Sequence, residues 1–375
     1  MKIMHLADFH LDSAFSGFKK EESDARRASL RECFERAMKI AQEKGVELVL
    51  IAGDLFDTPF CSASTRSAVF STIEKLNCPV VISPGNHDYY NKNGTYADKA
   101  LPENAYVFTS SELGRFDFDE LGVSVVGYAF TSERYEENPL ASDVPLSTEN
   151  VNILCAHADL GASFSKYAPI SAGAIARLGF SYAALGHVHL PPEPTTAGYT
   201  LISYSGFAQG RSFDELGAGG AYIIDIDRET KKAAICERVS LSSVVYEIEK
   251  IDVTAACSDD EVLSKIESVI FLRSFGKNTA LRVVLVGSVP SYYSIDEERL
   301  EASHLAERVA LLQIRNHTVA KFDLDDLKDD LTVRGEIYRQ LLPALESADE
   351  DEKQVASLAL KFALAALDTR EFGVD

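Results

Sequence analysis

Residues 47–57 read "ELVLIAGDLFD". An uncharged aliphatic run ends at a glycine, and two carboxylates follow it, Asp54 and Asp57. A short apolar run bounded in this way predicts a strand, Glu47–Ala52, buried on both faces. The pattern repeats along the chain. Lys2–Ala7 runs into Asp8 and His10, Pro79–Ser83 into Asn86, His87 and Asp88, Val151–Cys155 into His157, and Tyr182–Leu185 into His187 and His189. Each of these five strands finishes in metal-capable side chains at its carboxyl end. In an open α/β sheet those ends share one edge, where ligands bind.

Composition sets the frame. The chain has 375 residues, 46% hydrophobic and 25% charged, which suits a soluble globular protein with a large domain and a smaller one. Cys33, Cys61, Cys78, Cys155, Cys236 and Cys257 show no C-x-x-C spacing, which argues against a zinc ribbon or disulfide framework and for a reducing, cytoplasmic setting. Asp8 interrupts the N-terminus before a signal peptide could build up, and "VASLALKFALAAL" carries Lys361 and is too short to span a membrane. The net charge of −21 opposes sequence-independent binding to polyanions. Acid is denser late in the chain: Asp and Glu exceed Lys and Arg by 32 to 22 in residues 1–240 and by 26 to 15 in the remainder.

Residues 1–240 alternate apolar runs with helical patterns, the mark of parallel strands with helical crossovers. Further strands are expected at Val123–Tyr128, Thr200–Tyr204 and Ala221–Asp225. Leu30, Phe34, Ala37 and Ala41 line one face of a helix that Gly45 ends, and a second helix is expected over Ser64–Leu76. From Val244 a smaller unit begins: strand Val244–Ile251, helix Asp259–Ile270, strand Ala280–Val286, helix Ile295–Leu312 and strand His317–Phe322. Two acidic helices follow, Thr332–Ala348, with Pro343 kinking or dividing it, and Asp351–Leu367. The boundaries read as domains 1–240, 244–322 and 323–375.

Taken singly the polar fragments are weak signals, since Gly, Asn and Asp are ordinary turn residues. Convergence gives them weight: five of the eight histidines, His10, His87, His157, His187 and His189, fall in them. His5 lies inside the first strand and reads as a packed core residue, while His304 and His317 have no metal-capable companions. A set of carboxylates, imidazoles and one amide suits Mn²⁺, Fe²⁺ or Zn²⁺ better than Ca²⁺. Asp8, His10, Asp54, Asn86, His157, His187 and His189 are too many for one ion, whereas two ions sharing a carboxylate account for them.

The ordered set D-x-H, G-D-x-x-D, G-N-H-D, H and G-H-x-H resembles the calcineurin-like metallophosphoesterases. "HLADFHLDSAF", "LIAGDLFD", "PENAYVFTS" and "YSGFAQGRSFDELGAGGAYIIDI" are similar to the SbcD/YhaO-type DNA repair exonucleases, and "LRVVLVGSVP" resembles their capping domain. The resemblance implies an α/β fold: a metallophosphoesterase β-sandwich flanked by helices, a small α/β capping domain and C-terminal helices. It implies one ion held by Asp8, His10 and His189, a second by Asn86, His157 and His187, and Asp54 bridging both. His87 would then face the scissile phosphate, with Asp57 either orienting it or capping the next helix. Asp57 stands where archaeal and eukaryotic members usually have histidine. Gln209 and Arg211 would meet substrate phosphate; Tyr89 and Tyr90 would stack on a base or pack the loop.

Three functions follow. The first is a Mn²⁺-dependent DNA exonuclease or endonuclease in repair, working with an SMC-like coiled-coil ATPase through the C-terminal helices; a homodimer is a family expectation. The second is a small-molecule phosphodiesterase or phosphatase. The third is a weakly active docking subunit of an ATPase complex. The apolar face of the last helix, from Val355 through Leu358 and Phe362 to Ala366, bears on the partner, and its default is packing on its own domain.

Overall fold

The computed structural model describes residues 1–141, 146–161, 164–290, 293–321 and 324–367. Phe322 and residues 368–375, which the sequence reading assigns to a capping strand and the C-terminal segment, lie outside these. The chain divides into two units, Met1–Tyr246 and Glu247–Asp375.

In the first unit the described strands are β1 (Lys2–Leu6), β2 (Leu48–Ile51), β3 (Val80–Ile82), β4 (Ala105–Val107), β5 (Gly114–Phe118), β6 (Val123–Gly127) and β7 (Val151–His157). Next come β8 (Asp159–Leu160), β9 (Pro169–Ile170), β10 (Tyr182–Gly186), β11 (Thr195–Ala197), β12 (Thr200–Tyr204), β13 (Gly220–Ile226) and β14 (Ala233–Ser240). The helices are α1 (Lys20–Glu43), α2 (Ala63–Glu74) and α3 (Ala172–Leu178).

The strands do not share one open sheet with a single edge; the β-sandwich that the family resemblance implies is what forms. They form two six-stranded sheets, in the orders β14-β13-β1-β2-β3-β4 and β11-β12-β10-β7-β6-β5. The reason is visible in the period-two alternation of strand side chains. Leu48, Leu50 and Ala52 turn one way and join Val125, Ile153, Tyr182 and Ala184 of the second sheet in a core between the sheets. Val49 and Ile51 turn the other way, onto Leu30, Phe34, Ala37 and Met38 of α1 and Val69 and Ile73 of α2. The outer face of the second sheet, including Leu154, Ala183 and Leu185, packs with Ile175 of α3. The result is a sandwich of two sheets flanked by helices. β1 to β4 run parallel, as do β6, β7, β10 and β12, so carboxyl ends collect at one edge of each sheet.

The second unit contains β15, which begins at Val245 and ends at Asp252, then α4 (Asp259–Leu272), β16 (Thr279–Val286), β17 (Ser288–Pro290), α5 (Glu297–Glu301), β18 (Leu311–Asn316) and β19 (Val319–Lys321). After them come α6 (Leu324–Asp329), α7 (Val333–Leu345) and α8 (Glu350–Leu367). β15, β16 and β18 form one sheet over a core of Val262, Ile266, Leu281, Val283, Leu300 and Ile314.

Two expectations need correcting here. Ile295–Leu312 is not one helix: α5 covers five residues and Leu311 already belongs to β18. Glu301 and Glu297, which suit a helix's solvent face, instead accept the backbone N–H groups of Ile314 and Asn316 at 2.7 and 2.6 Å. The strand expected at His317–Phe322 is present as β19, which pairs in parallel with β17, and an unexpected strand, Leu311–Asn316, precedes it and pairs in parallel with β16. Pro343 does not divide α7, which runs through it and stops two residues later.

Candidate metal centre

The chain turns sharply where each strand hands over to its polar cluster. Asp8, His10, Asp54 and His187 all have positive φ, at 52, 47, 50 and 111°. Non-glycine residues rarely sit there, and such strain collects at functional sites. The first two loops are laced together by backbone bonds from Asp8 N–H to Gly53, His10 N–H to Asp54 and Leu11 N–H to Leu55. Two glycines clear the ground: a Cβ on Gly85 would fall 2.2 Å from Asp54 Oδ1, and one on Gly53 would fall 2.2 Å from His157 Nδ1.

Asp88 holds the third loop from beneath. Fully buried, it accepts from the backbone N–H groups of Gly85, Asp54 and Phe56 at 2.7, 3.2 and 3.2 Å and from the Tyr96 hydroxyl. Burial pushes its carboxyl up to about 6, with Asp54 adding to this and the hydrogen bonds opposing it.

The ligand candidates then converge on Asp54. Its Oδ2 lies 3.7 Å from His10 Nε2 and 3.5 Å from His157 Nε2, while its Oδ1 accepts the His87 backbone N–H at 3.0 Å. Asp8, His10 and His189 form one potential ligand group; Asp8, Asp54 and His157 form another; His10, Asp54 and His87 form a third. Asn86 Oδ1 meets His157 Nε2 at 2.9 Å, and the His187 ring stands 5.1 Å from that of His157.

Three of the imidazoles are oriented from behind. His10 Nδ1 lies 3.1 Å from Asp57, His189 Nδ1 2.8 Å from Glu215, and His157 Nδ1 3.1 Å from the Ala52 carbonyl. With those N–H groups donated, each Nε2 keeps its lone pair. His10 Nε2 and His189 Nε2 nevertheless face each other at 3.1 Å, and His157 Nε2 faces an amide oxygen. Lone pairs opposed at such distances call for a cation among them, so the donor set fits divalent ions. Burial lowers the His10 and His187 rings to about 4, with Asp57 opposing for His10, so both rings are neutral near pH 7, the form a metal ligand requires. Asp8 is pushed well up, by burial first and by Asp54 second. Asp54 is held down at about 2: burial opposes this, but His157, His10 and His87 prevail.

Asp57 meets His10 first and His87 second, its Oδ1 lying 3.9 Å from His87 Nδ1. Arg211 reaches the cluster as a brace, its guanidinium bonded to Glu215 Oε1 at 2.6 Å and to Asp57 at 3.4 Å. Gln209 is not offered to a substrate. It is 4% exposed, donates to Ser29 and accepts from Ser243. Tyr89 and Tyr90 are half-buried against core clusters. Sequence reasoning missed Glu215, whose only signal is its i,i+4 spacing from Arg211, and Tyr167, whose ring lies 4.8 Å from that of His187.

A two-sheet sandwich whose strand ends gather carboxylates and neutral imidazoles around a shared carboxylate defines a metal-dependent phosphoesterase. Residues 1–191 match the calcineurin-like phosphoesterase family, and the chain belongs to that family. It is 26% identical to the uncharacterized metallophosphoesterase YhaO of Bacillus subtilis, over 98% of this chain and 99% of that one. It is 28% identical to the SbcD component of the nuclease SbcCD of Staphylococcus epidermidis, over 60% of this chain and 66% of that one. It is 22% identical to the DNA double-strand break repair protein Mre11 of Methanopyrus kandleri, over 96% and 82%. No helix among the described residues is long and apolar enough to cross a membrane.

Proposed function

We propose that the protein is a two-metal phosphodiester hydrolase that cuts DNA as a Mn²⁺-dependent exonuclease or endonuclease in repair, in the cytoplasm and with an SMC-like ATPase as partner. The observation that carries this reading is the placing of Asp54 between His10 and His157, with His87 beside it and half in water. Likeness to the SbcD and Mre11 relatives supports DNA as the substrate. That to YhaO and Mre11 extends over nearly the whole chain, so it includes the second unit. We take 244–322 as the capping domain and 323–375 as the partner-binding segment.

In this reading Asp8, His10 and His189 would hold one ion and Asn86, His157 and His187 the other, with Asp54 as the carboxylate they would share. Two divalent ions there supply Lewis acidity and a nucleophilic water near neutral pH. The chain's own residues do the rest. Asp57, Glu215 and the Ala52 carbonyl fix the ring orientations and keep each Nε2 free. His87 donates a proton to the leaving oxygen, and Asp57, whose Oδ1 lies 3.9 Å from its Nδ1, orients the ring to do so.

The test is incubation with Mn²⁺ and linear single-stranded and duplex DNA, beside a chromogenic diester and monoester. DNA should be degraded and the diester cut. DNA left intact with the ATPase present, while the diester is hydrolysed, would overturn the nuclease reading in favour of a small-molecule phosphodiesterase.

A further inference from the structure

We infer that Phe164, on the loop between β8 and β9, is a stacking surface for an unpaired nucleobase next to the scissile phosphate. The inference rests on the phosphodiesterase reading above and narrows its substrate to a single strand or a frayed end.

The loop belongs to the metal centre by construction. It leaves β7 just after His157, and β8 pairs with β9, so both ends are held. Its return limb is pinned: Tyr135 N–H donates to Lys166, Ala168 N–H to Tyr135 at 2.6 Å, and Asp159 N–H to Tyr167. Buried Ala168 sits at φ 48°, a conformation such close bonding must maintain. Tyr167 lays its ring 4.8 Å from His187, tilted 41°. Phe164 is three residues from Tyr167, so their Cα atoms are at most about 11 Å apart.

The tip contrasts with this anchored base. The Phe164 side chain is 100% exposed, more than any other large hydrophobic residue described. A phenylalanine ordinarily gains much of its stabilisation from burial, so one left wholly in water beside the pinned return limb has its face free for a planar partner. Lys166, two residues on, is exposed and makes no ion pair among the described residues, so its ammonium is available to a phosphate. Tyr89 and Tyr90, the aromatics beside the G-N-H-D cluster, are half-buried in packing and present less surface. Every base has a π-face, so stacking on Phe164 tolerates sequence but requires that the base be unpaired.

The experiment compares wild type, Phe164→Ala and Phe164→Trp with Mn²⁺ on two oligonucleotides of one length. One is an ordinary single strand; the other carries abasic residues throughout. On the ordinary strand Phe164→Ala should lose on the order of tenfold in kcat/KM, mostly through KM, and Phe164→Trp should restore it. On the abasic strand the three proteins should be alike. Equal cleavage of the ordinary strand by wild type and Phe164→Ala would overturn the inference alone, as would an equal loss on both strands. Wild type that cuts a chromogenic diester but neither oligonucleotide would take the nuclease reading down with it.

Discussion

His87 keeps 46% of its side chain in water, against 1% for His10 and 0% for His157. A metal ligand is normally enclosed by its partners, whereas a proton donor to a leaving group must meet the substrate. His87 does lie near enough to His10 and Asp54 to complete a ligand group, so the two roles give different outcomes. As a proton donor, His87→Ala should lower kcat by about 10²–10⁴-fold and leave two Mn²⁺ per chain by elemental analysis. Loss of an ion would make it a ligand. The residues at strand ends were readable because each follows an apolar run that fixes where it emerges. Glu215 was not, because an acid in an irregular loop has no period to betray it; only the folded contact with His189 shows what it does.

The two sheets are tied by more than apolar packing. His5, on β1, meets the Tyr182 hydroxyl at 2.7 Å and the Leu185 carbonyl at 3.1 Å, both on β10 of the other sheet. Burial lowers its ring to about 3, with the Leu185 bond opposing. Below the unfolded value of about 6.5 the unfolded chain takes up a proton that the folded ring refuses, so this contribution to stability is full above pH 6.5 and declines as pH falls toward 3. Denaturant unfolding of wild type and His5→Gln should show the wild type's relative stability falling by about 1 kcal/mol from pH 6 to pH 5. A difference independent of pH would mean that His5 is not held neutral. The apolar pattern alone marks the strands but not their division into two sheets, because a strand buried on both faces carries no mark of which neighbour it takes; the sandwich was legible only through the family resemblance, and the structure bears it out. The three-residue β4 fell below any periodic signal, whereas β5 alternates in burial and was simply not picked out. α8 shows a different gap: Ala356, Leu360 and Leu364 face inward, and Leu360 and Leu364 cluster with Leu327 and Tyr338. The expected buried face is instead exposed, at 68% for Val355 and 53% for both Leu358 and Phe362. Val355→Glu with Leu358→Glu should therefore shift stability by no more than about 0.5 kcal/mol and leave diester hydrolysis unchanged. Binding to a coiled-coil ATPase in a pull-down should be lost; retained binding would remove this face from the partner reading.

Across the whole chain, a net charge of −21 and a centre built on buried Asp8 and Asp54 pull against each other until cations arrive. Without them, Asp8 is driven well above its ordinary range by burial and by Asp54, and imidazole lone pairs stand opposed. Divalent ions would relieve both, and would bind only the folded first unit, because the candidate ligands follow five strands far apart in sequence. Linkage then gives about 2.7 kcal/mol at a hundredfold excess over Kd. For a unit of 246 residues that is a rise of roughly 5–10 °C in midpoint. The second unit has its own core, from Ile251 to Ile314, and none of the candidate ligands. Calorimetry should therefore resolve two transitions, with Mn²⁺ raising only the one of Met1–Tyr246 and a chelator reversing it. If both moved together, the units would unfold as one cooperative block; if neither moved, the centre would not be a Mn²⁺ site.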